Sequence, residues 1–301
     1  PGLQFWARML LSAIFFGDSE NQTMQKSNLN IFHAVILLTL VGITLISFKA
    51  KAQYDGLLRI YVMDVGQGDA IFIQAPDGNQ VLVDGGPGAS VLEELAKIMP
   101  PTDRSIDTII VSHPHADHIG GLPAVLEQYD VGVVVEAGEN YDSGIFRTWH
   151  QSIESEGAQK IDAVAGTVLN FGQNMTITVL NPLESAAGVT TKSPHDYNVT
   201  LMLVYGQMEM LFTGDMEALA EKELVAAIPN LEADVLKIGH HGSNTSTSEE
   251  FLNAVQPQAA FIEVGLKNVY HHPTQQTLDR LTAHKVKYFR TDLDGTSEVI
   301  S

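Results

Sequence analysis

Three histidines and one aspartate lie within the short segment SHPHADHIGGL, directly after an apolar run at residues 108–111. The imidazoles of His113, His115 and His118 and the carboxylate of Asp117 are ligand types that suit zinc, iron or manganese. Alternate side chains of an irregular loop can converge, so we expect His113 and His115 to bind one metal ion. Asp117 and His118 would then face a neighbouring ion. A solvated polar loop is the competing interpretation, but it accounts poorly for so many ligands at the end of a strand.

Strands and helices in alternation must position this loop. Residues 57–63, 70–74 and 81–83 are short β-branched runs, and the turn signal at residues 76–79 predicts a hairpin between the last two. The second half repeats the rhythm, with strands first and then alternating helices and strands. Two such sheets stacked face to face, with helices outside, would form a four-layer αβ/βα sandwich.

The N-terminal region has the character of a targeting segment. Residues 31–48 are apolar and uncharged, close to the lower limit of the ~20 residues that span a bilayer. Lys26 precedes this run and an A-x-A pattern ending at Ala52 follows it, which is typical of a signal peptide. An uncleaved anchor is the alternative. We therefore predict that residues 1–52 hold an upstream segment and a signal peptide or N-terminal anchor. The protein would be exported, periplasmic or extracellular, and would touch a membrane only through this segment.

Composition excludes several classes of protein. The chain has 301 residues and no cysteine, which excludes disulfide scaffolds, cysteine-ligated zinc and a thiol nucleophile. Its apolar fraction of 45% is too high for a disordered chain. The formal net charge of −19 argues against a broad basic face for nucleic acid, since phosphates would be repelled.

The segment SHPHADHIGGL resembles the HxHxDH motif of the metallo-β-lactamase superfamily. Three further segments resemble its other motifs in order: VLVDGG with Asp84, LFTGD with Asp215, and LKIGHHGS with His240 and His241. The resemblance implies an α/β fold, the four-layer αβ/βα sandwich of the metallo-β-lactamase type, and a hydrolase domain over residues 53–301. The segments DVGQGDA and LKIGHHGSNTSTS are similar to the hydrolase domain of ComEC-type competence proteins, and the chain looks like a stand-alone, exported member.

The resemblance also implies two divalent metal ions, Zn²⁺ or alternatively Mn²⁺, and a role for each ligand. One metal would be held by His113 and His115, the other by Asp117, His118 and His241, with Asp215 bridging both. Which of His240 and His241 binds metal is open; we favour His241 because His-Gly is how the superfamily usually presents the ligand. His240 would then support the ligands or contact substrate.

A further histidine ligand usually precedes the strand that leads to the bridging aspartate. This region reads His195-Asp196-Tyr197-Asn198, and Asn198 matches the ComEC-type pattern, for which we predict a substrate contact. His195 is the alternative ligand, because the register is not fixed by the sequence.

Four residues are expected to assist the chemistry. Asp117 would hold the nucleophile by a hydrogen bond besides binding metal, and His272 would donate a proton to the leaving group or bind the oxyanion. His272 is equally compatible with a surface-loop histidine. Asp84 would orient a ligand. Asp64, on a glycine-rich turn, would support the metal loop, although turn chemistry alone explains an aspartate there.

Three functions follow from this set of residues. The first is a metal-dependent hydrolase that uses a metal-bridged hydroxide as a phosphodiesterase or nuclease, with a small phosphodiester or extracellular nucleic acid as substrate. A carboxylate at Asp215 favours it, since true β-lactamases of the superfamily usually carry Cys or Ser there. The second is hydrolysis of a lactone or β-lactam ring, which an apolar pocket would favour. The third is a binding protein of DNA uptake, which the intact ligand set argues against.

Overall fold

The chain divides in a computed structural model into two units, residues 1–53 and 54–301. The structure describes residues 56–172 and 174–301, together with His33, Val35, Ile36 and Thr39, which are helical. No helix within this described part of the chain has the length and apolar character needed to cross a membrane. The predicted signal peptide or anchor at residues 31–48 lies largely outside the described residues.

The described part of the second unit contains sixteen strands, numbered in chain order. They are β1 (Arg59–Val62), β2 (Ile71–Gln74), β3 (Gln80–Val83), β4 (Ser105–Ile110), β5 (Asp130–Glu136), β6 (Asn140–Tyr141), β7 (Gln159–Asp162), β8 (Val168–Phe171), β9 (Met175–Asn181), β10 (Thr190–Thr191), β11 (Thr200–Tyr205), β12 (Met208–Phe212), β13 (Val235–Lys237), β14 (Ala259–Ile262), β15 (Lys287–Arg290) and β16 (Ser297–Ile300).

The helices lie between these strands. They are α1 (Ser90–Ile98), α2 (Ala116–Ile119), α3 (Leu122–Gln128), α4 (Gly144–Glu156), α5 (Ala218–Ala227), α6 (Glu249–Val255), α7 (Gln275–Ala283) and α8 (Thr291–Asp294), with 3₁₀ turns at Pro194–Tyr197 and Gly239–Gly242.

Within the described residues the strands form two seven-stranded sheets of matching design. The first has the order β16-β1-β2-β3-β4-β5-β7 and the second β15-β14-β13-β12-β11-β9-β8. Each sheet is antiparallel on one side and parallel on the other: β16 through β3 and β8 through β12 pair antiparallel, and the remaining strands pair parallel. A short parallel ribbon joins β6 to β10.

Three buried apolar clusters separate the layers. The central cluster joins the facing sides of both sheets, with Ile60, Ile73, Leu203 and Phe212 among its members. A second cluster packs α1, α3 and α4 on the outside of the first sheet, and a third packs α5, α6 and α7 on the second. The predicted four-layer αβ/βα sandwich is therefore confirmed.

Local sequence signals account for many of the element boundaries. The predicted hairpin β2–β3 forms with antiparallel register, and β11 and β12 form a second antiparallel hairpin. Ser248 begins α6, and its Oγ accepts a hydrogen bond from the Phe251 N–H at 3.2 Å. The sequence does not predict α4, because only Trp149 and Ile153 of its thirteen residues are fully buried and the apolar stripe is thin.

Candidate metal centre

The candidate ligands lie after the carboxyl ends of parallel strands in both sheets. Asp84 follows β3 and the segment from Ser112 to His118 follows β4, while Asp215 follows β12 and His241 follows β13. Parallel strands end at one common edge, where loops converge and sites commonly form. The sandwich therefore brings residues from two sheets to one cleft.

One set of ligand atoms comes from His113, His115, His195 and Asp215, all within 4.8 Å of one another. Nε2 of His113 lies 2.9 Å from Nδ1 of His115, and Nε2 of His195 lies 3.2 Å from that same Nδ1. His195, which the sequence left as an alternative, therefore stands with the two histidines predicted for the first metal.

A second set comprises Asp117, His118, Asp215 and His241, again with ligand atoms within 4.8 Å. Nε2 of His241 lies 3.4 Å from Oδ2 of Asp117, and Nε2 of His118 lies 3.5 Å from Oδ2 of Asp215. Asp215 belongs to both sets, which is the position predicted for a bridging carboxylate.

The backbone at His240 and His241 places their two imidazoles at different depths in the cleft. Both residues are left-handed, with φ of 47° and 52°, in the 3₁₀ turn after β13. Each such residue costs about 1–3 kcal/mol and persists only where the surroundings enforce it. The turn buries His241, whose ring is 2% exposed, and leaves His240 at the cleft mouth with its Nδ1 3.3 Å from Oε1 of Glu217.

Asp84 lies beneath the cluster and orients its loop. Its Oδ2 accepts a hydrogen bond from Nδ1 of His118 at 2.9 Å and another from Oγ of Ser112 at 2.6 Å. Its Oδ1 accepts the Ser112 N–H at 2.8 Å. The second nitrogen of His118 is thereby directed toward Asp215, which is the supporting role expected for Asp84.

Asp64 does not lie under the metal loop, and its predicted supporting role is wrong. Its side chain is exposed and its Oδ1 accepts the N–H of Gly66 within the same turn. Asp69, at the other end of the DVGQGDA segment, is buried instead, with Oδ1 3.2 Å from Nδ1 of His241. Gly68 allows this approach, because a Cβ there would lie 2.1 Å from the Asp117 carbonyl oxygen.

Asn198 is fully buried and does not reach the cleft, so the predicted substrate contact is wrong. Its Oδ1 accepts the N–H of Asp215 at 2.9 Å, and its Nδ2 donates to the carbonyl of Thr213 at 2.7 Å. Asn198 therefore fixes the turn that presents Asp215.

The open cleft beside the cluster has a volume of about 340 Å³. Its lining comprises Gln67, His115, Ala116, Asp117, Asp215, His240, His241, Tyr270 and His272. The rings of Tyr270 and His272 stack with centroids 5.9 Å apart, and His272 meets His240 edge-on at 5.8 Å. Asn268 fixes this loop, accepting the His272 N–H and donating to the His272 carbonyl, both at 2.8 Å.

Electrostatics concentrate positive charge on two of the imidazoles. Burial opposes charge on His118, but the carboxylates of Asp215, Asp69 and Asp84 outweigh it and raise its pKa well above the usual range. For His241 burial is likewise outweighed, mainly by Asp215 and Asp69, which raise the pKa to about 10.

The pKa of His113 lies well below its usual range because it is buried and faces the charge on His118. Burial would raise the pKa of Asp215, but the imidazoles of His241 and His118 hold it well below its usual range. An ionised carboxylate and a neutral imidazole are the protonation states in which these groups bind metal.

The residues present fit the divalent metal ions that the fold family implies. Nε2 of His118, Nε2 of His241 and Oδ1 of Asp215 are buried, and none has a hydrogen-bond partner among the described residues. All three atoms belong to the second ligand set. Uncompensated buried polar atoms are costly, so their convergence in a mixed imidazole and carboxylate set indicates a cation site.

The sequence analysis did not predict three residues of the site. Lys237 and Glu263 are fully buried beneath the ligands, and Glu217 flanks His240. A lysine inside the apolar strand LKI was a usable signal, because a buried lysine requires a charged partner. Glu217 carries no comparable signal, since its position depends on the turn after β12.

Comparisons with known proteins agree with this geometry. The sequence model of the Metallo-beta-lactamase superfamily matches residues 63–264. ComE operon protein 3 of Bacillus subtilis is 33% identical over 79% of this chain and 32% of its own length. Competence protein ComA of Neisseria gonorrhoeae is 29% identical over 83% of this chain and 33% of its own. The chain thus spans about a third of the length of these curated relatives.

A solved structure gives the same fold. The metallo-beta-lactamase fold protein YhfI from Bacillus subtilis superposes with a TM-score of 0.53, covering 81% of this chain and all of that one. Its sequence identity is 15%, so the similarity concerns the fold alone.

Proposed function

The chain belongs to the metallo-beta-lactamase superfamily, and from this premise we propose that it is a metal-dependent phosphodiesterase. The observation that carries the proposal is the carboxylate of Asp215. Five imidazole nitrogens lie 3.5–3.8 Å from its oxygens, namely Nε2 of His113, His118, His195, His240 and His241. A shared carboxylate between two imidazole sets is suited to holding two cations beside a phosphoryl group.

Divalent ions bound there would activate water for attack and neutralise charge on the phosphoryl oxygens. The chain's own groups then position the reactants. Asp117 is about one-third exposed, reaches the cleft and can accept a hydrogen bond from the attacking water. His272 lines the same cleft, where its imidazole can donate a proton to the departing oxygen.

The cleft lining supports a phosphodiester over a lactone or β-lactam ring. Eight of its nine residues have a polar or ionisable side chain, and Ala116 is the exception. A ring-opening enzyme would need a drier, more apolar surface beside the metals. The name of the Neisseria gonorrhoeae relative concerns competence, which favours nucleic acid as the phosphodiester. The net charge of −19 favours a small phosphodiester instead.

The test begins with metal content. Residues 53–301 are purified, bound metal is determined by elemental analysis, and turnover is assayed with added Zn²⁺ or Mn²⁺. The substrates are bis-p-nitrophenyl phosphate, plasmid and single-stranded DNA, and nitrocefin. We expect about two metals per chain and cleavage of the phosphodiester, with Asp215→Ala losing both metal and turnover. Glu184→Gln, which alters an exposed carboxylate outside every candidate ligand group, is the control and should retain metal.

Each result bears on the proposal. DNA cleavage would identify a nuclease, and cleavage of bis-p-nitrophenyl phosphate alone would identify a small-molecule phosphodiesterase. Turnover of nitrocefin without phosphodiester cleavage would refute the proposal in favour of ring opening. A chain that binds no metal would refute it in favour of a binding protein.

A further inference from the structure

Lys237 places a full positive charge beneath the ligand cluster. Its side chain is 1% exposed and lies on β13, between β12 and β14 in the second sheet. A buried ammonium is costly unless it is paired and hydrogen-bonded. The roles assigned above to the ligands, Asp117 and His272 make no use of this charge.

The ammonium has two partners, and they come from different sheets. Nζ forms a close ion pair with the carboxylate of Asp69, which lies two residues before β2 of the first sheet. Nζ also donates a hydrogen bond to the carbonyl of Gly214 at 2.9 Å. Lys237 therefore connects two loops that approach the cleft from opposite halves of the sandwich.

Each partner of the ammonium is in direct contact with a ligand of the second set. Asp69 has its Oδ1 3.2 Å from Nδ1 of His241, and its N–H donates to the carbonyl of Asp117 at 3.2 Å. Gly214 is bonded to Asp215 and has a φ of 51°, and a Cβ there would lie 2.4 Å from Oδ1 of Asn198. A shift of the ammonium would therefore displace three ligands of the second set, namely Asp117, Asp215 and His241.

The surroundings explain why a cation is needed at this point. Asp69 and Glu263 are both buried within this cluster, and Oε1 of Glu263 accepts the N–H of Ala70 at 2.8 Å. Buried carboxylates are costly unless a charged or hydrogen-bonding partner lies nearby. The Glu263 carbonyl oxygen accepts a hydrogen bond from Nδ1 of His241 at 2.8 Å. Lys237 supplies a cation against the buried carboxylate of Asp69, whose Oδ1 lies 3.2 Å from Nδ1 of His241.

We propose that Lys237 is a positioning residue for the metal centre: its ammonium holds Asp69 against His241 and the Gly214 turn against Asp215, and so increases metal affinity. The inference rests on the metal-dependent function proposed above. Partners that orient metal ligands typically contribute 10–100-fold to metal affinity.

The experiment separates positioning from simple stabilisation. Lys237→Met removes the charge and keeps the length of the side chain. The double variant Asp69→Leu/Lys237→Met replaces the whole ion pair by apolar groups, which often preserves stability. Lys160→Met is the control, since Nζ of Lys160 pairs with the buried Glu136 at 2.9 Å. Neither residue belongs to either ligand set. Zinc affinity is measured by competition with a chromophoric chelator, and the Tm of the metal-free proteins by circular dichroism.

We expect Lys237→Met to bind zinc 10–100-fold more weakly and the control to bind as the wild type does. The double variant should recover the metal-free Tm while its zinc affinity stays low. If Lys237→Met does not fold, the double variant alone decides, by the same loss of affinity.

Unchanged zinc affinity in Lys237→Met, or recovery of both Tm and affinity in the double variant, would overturn the inference and leave a purely structural ion pair. A wild-type chain that binds no zinc or manganese would overturn the proposed function together with it. Wild-type metal binding with an unaffected variant overturns the inference alone.

Discussion

The side-chain oxygen of Asn198 accepts a hydrogen bond from the backbone N–H of Asp215 at 2.9 Å. The amide nitrogen of the same side chain donates to the Thr213 carbonyl at 2.7 Å, so one buried amide spans the turn after β12. The direction of the Asp215 carboxylate is therefore set by a residue that precedes β11, and the site depends on a position that never meets the cleft.

Asn198→Ala should destabilise the domain and weaken metal binding. It leaves the buried N–H of Asp215 unpaired, at about 1–3 kcal/mol. It also removes one of two hydrogen bonds to the Thr213 carbonyl, which still accepts the Met216 N–H at 3.1 Å. We expect a clear fall in Tm, by roughly 5–10 °C for a domain of this size. Asn170→Ala, at an exposed position of β8, is the control. Equal Tm values for the two variants would show that Asn198 does not hold the turn.

His195→Ala and His272→Ala should affect different properties. His195 lies within the first ligand set, so its removal should lower the metal content of the purified protein. The metal affinity should fall by more than the roughly 10–100-fold expected when a residue that only orients a ligand is lost. His272 lies outside both sets, so its removal should keep metal and lower kcat by about 10²–10⁴-fold. Elemental analysis and steady-state kinetics of both variants distinguish them. Loss of metal in His272→Ala would contradict this division.

The two aspartates near the start of the domain should differ sharply. Asp84→Asn keeps a residue that tolerates the φ of 57° but removes the charge that orients His118, and we expect zinc affinity to fall 10–100-fold. Asp64→Asn changes only a turn at an exposed position and should bind zinc normally. Chelator competition gives both affinities, and a comparable loss in Asp64→Asn would restore the role originally predicted for it.

Glu139 should make stability depend on pH. Burial and the neighbouring Glu136 raise its pKa to about 7, and its buried Oε1 has no hydrogen-bond partner among the described residues. Because the folded pKa exceeds the unfolded one, the neutral carboxyl stabilises the fold at low pH. This contribution is lost as pH rises from about 4.5 to about 7.

Glu139→Gln removes this charge, so the variant should be more stable than the wild type at pH 8, by about 2–3 kcal/mol, and similar near pH 4.5. Urea denaturation at both pH values measures the difference. Glu184→Gln, at an exposed site, is the control and should follow the wild type. If Glu139→Gln raises the free energy of unfolding equally at both pH values, ionisation of Glu139 is excluded as the cause.

Tyr270→Ala should raise KM with little effect on kcat when the substrate carries a planar ring beside the phosphate. Tyr270 is 63% exposed, and no other Phe, Trp or Tyr of the described residues is as exposed. Its ring stacks on that of His272, with the centroids 5.9 Å apart and the ring planes 18° apart. Aromatic pairs contribute about 0.5–1.5 kcal/mol, a roughly 2- to 12-fold change in KM for bis-p-nitrophenyl phosphate. Tyr270→Phe should retain the wild-type KM, and equal effects of both substitutions would exclude stacking.

The sequence predicted most of the fold because its signals are local. A turn of Pro, Asp, Gly and Asn separates the β-branched runs that form β2 and β3. The histidines of the HxHxDH segment directly follow a buried strand. The grouping of ligands required a family resemblance, since the second set joins loops from both sheets. The structure brings the ligand atoms of each set within 4.8 Å of one another, and their binding of metal stays a prediction.

The errors arose where long-range contacts decide the outcome. Asp64 and Asp69 occupy one glycine-rich loop and are equally plausible as supports, but only the packing of His241 and Lys237 selects Asp69. Asn198 matched a pattern of the family, yet its burial depends on the Asp215 turn, which local sequence does not reveal. His195 enters the first set through the 3₁₀ turn at Pro194–Tyr197, which a pattern of strands and helices does not predict.

Because the ligands are divided between the two sheets, the complete ligand set forms only after both sheets have been synthesised and packed together. A chain emerging from the ribosome presents His113, His115, Asp117 and His118 early, before Asp215, the carboxylate common to both sets, has been made. Asp215 and His241 follow only when β12 and β13 have been made. An ion therefore cannot be retained by a half-made chain in the geometry of the finished cluster, and loading of the centre marks the moment when both sheets have come together.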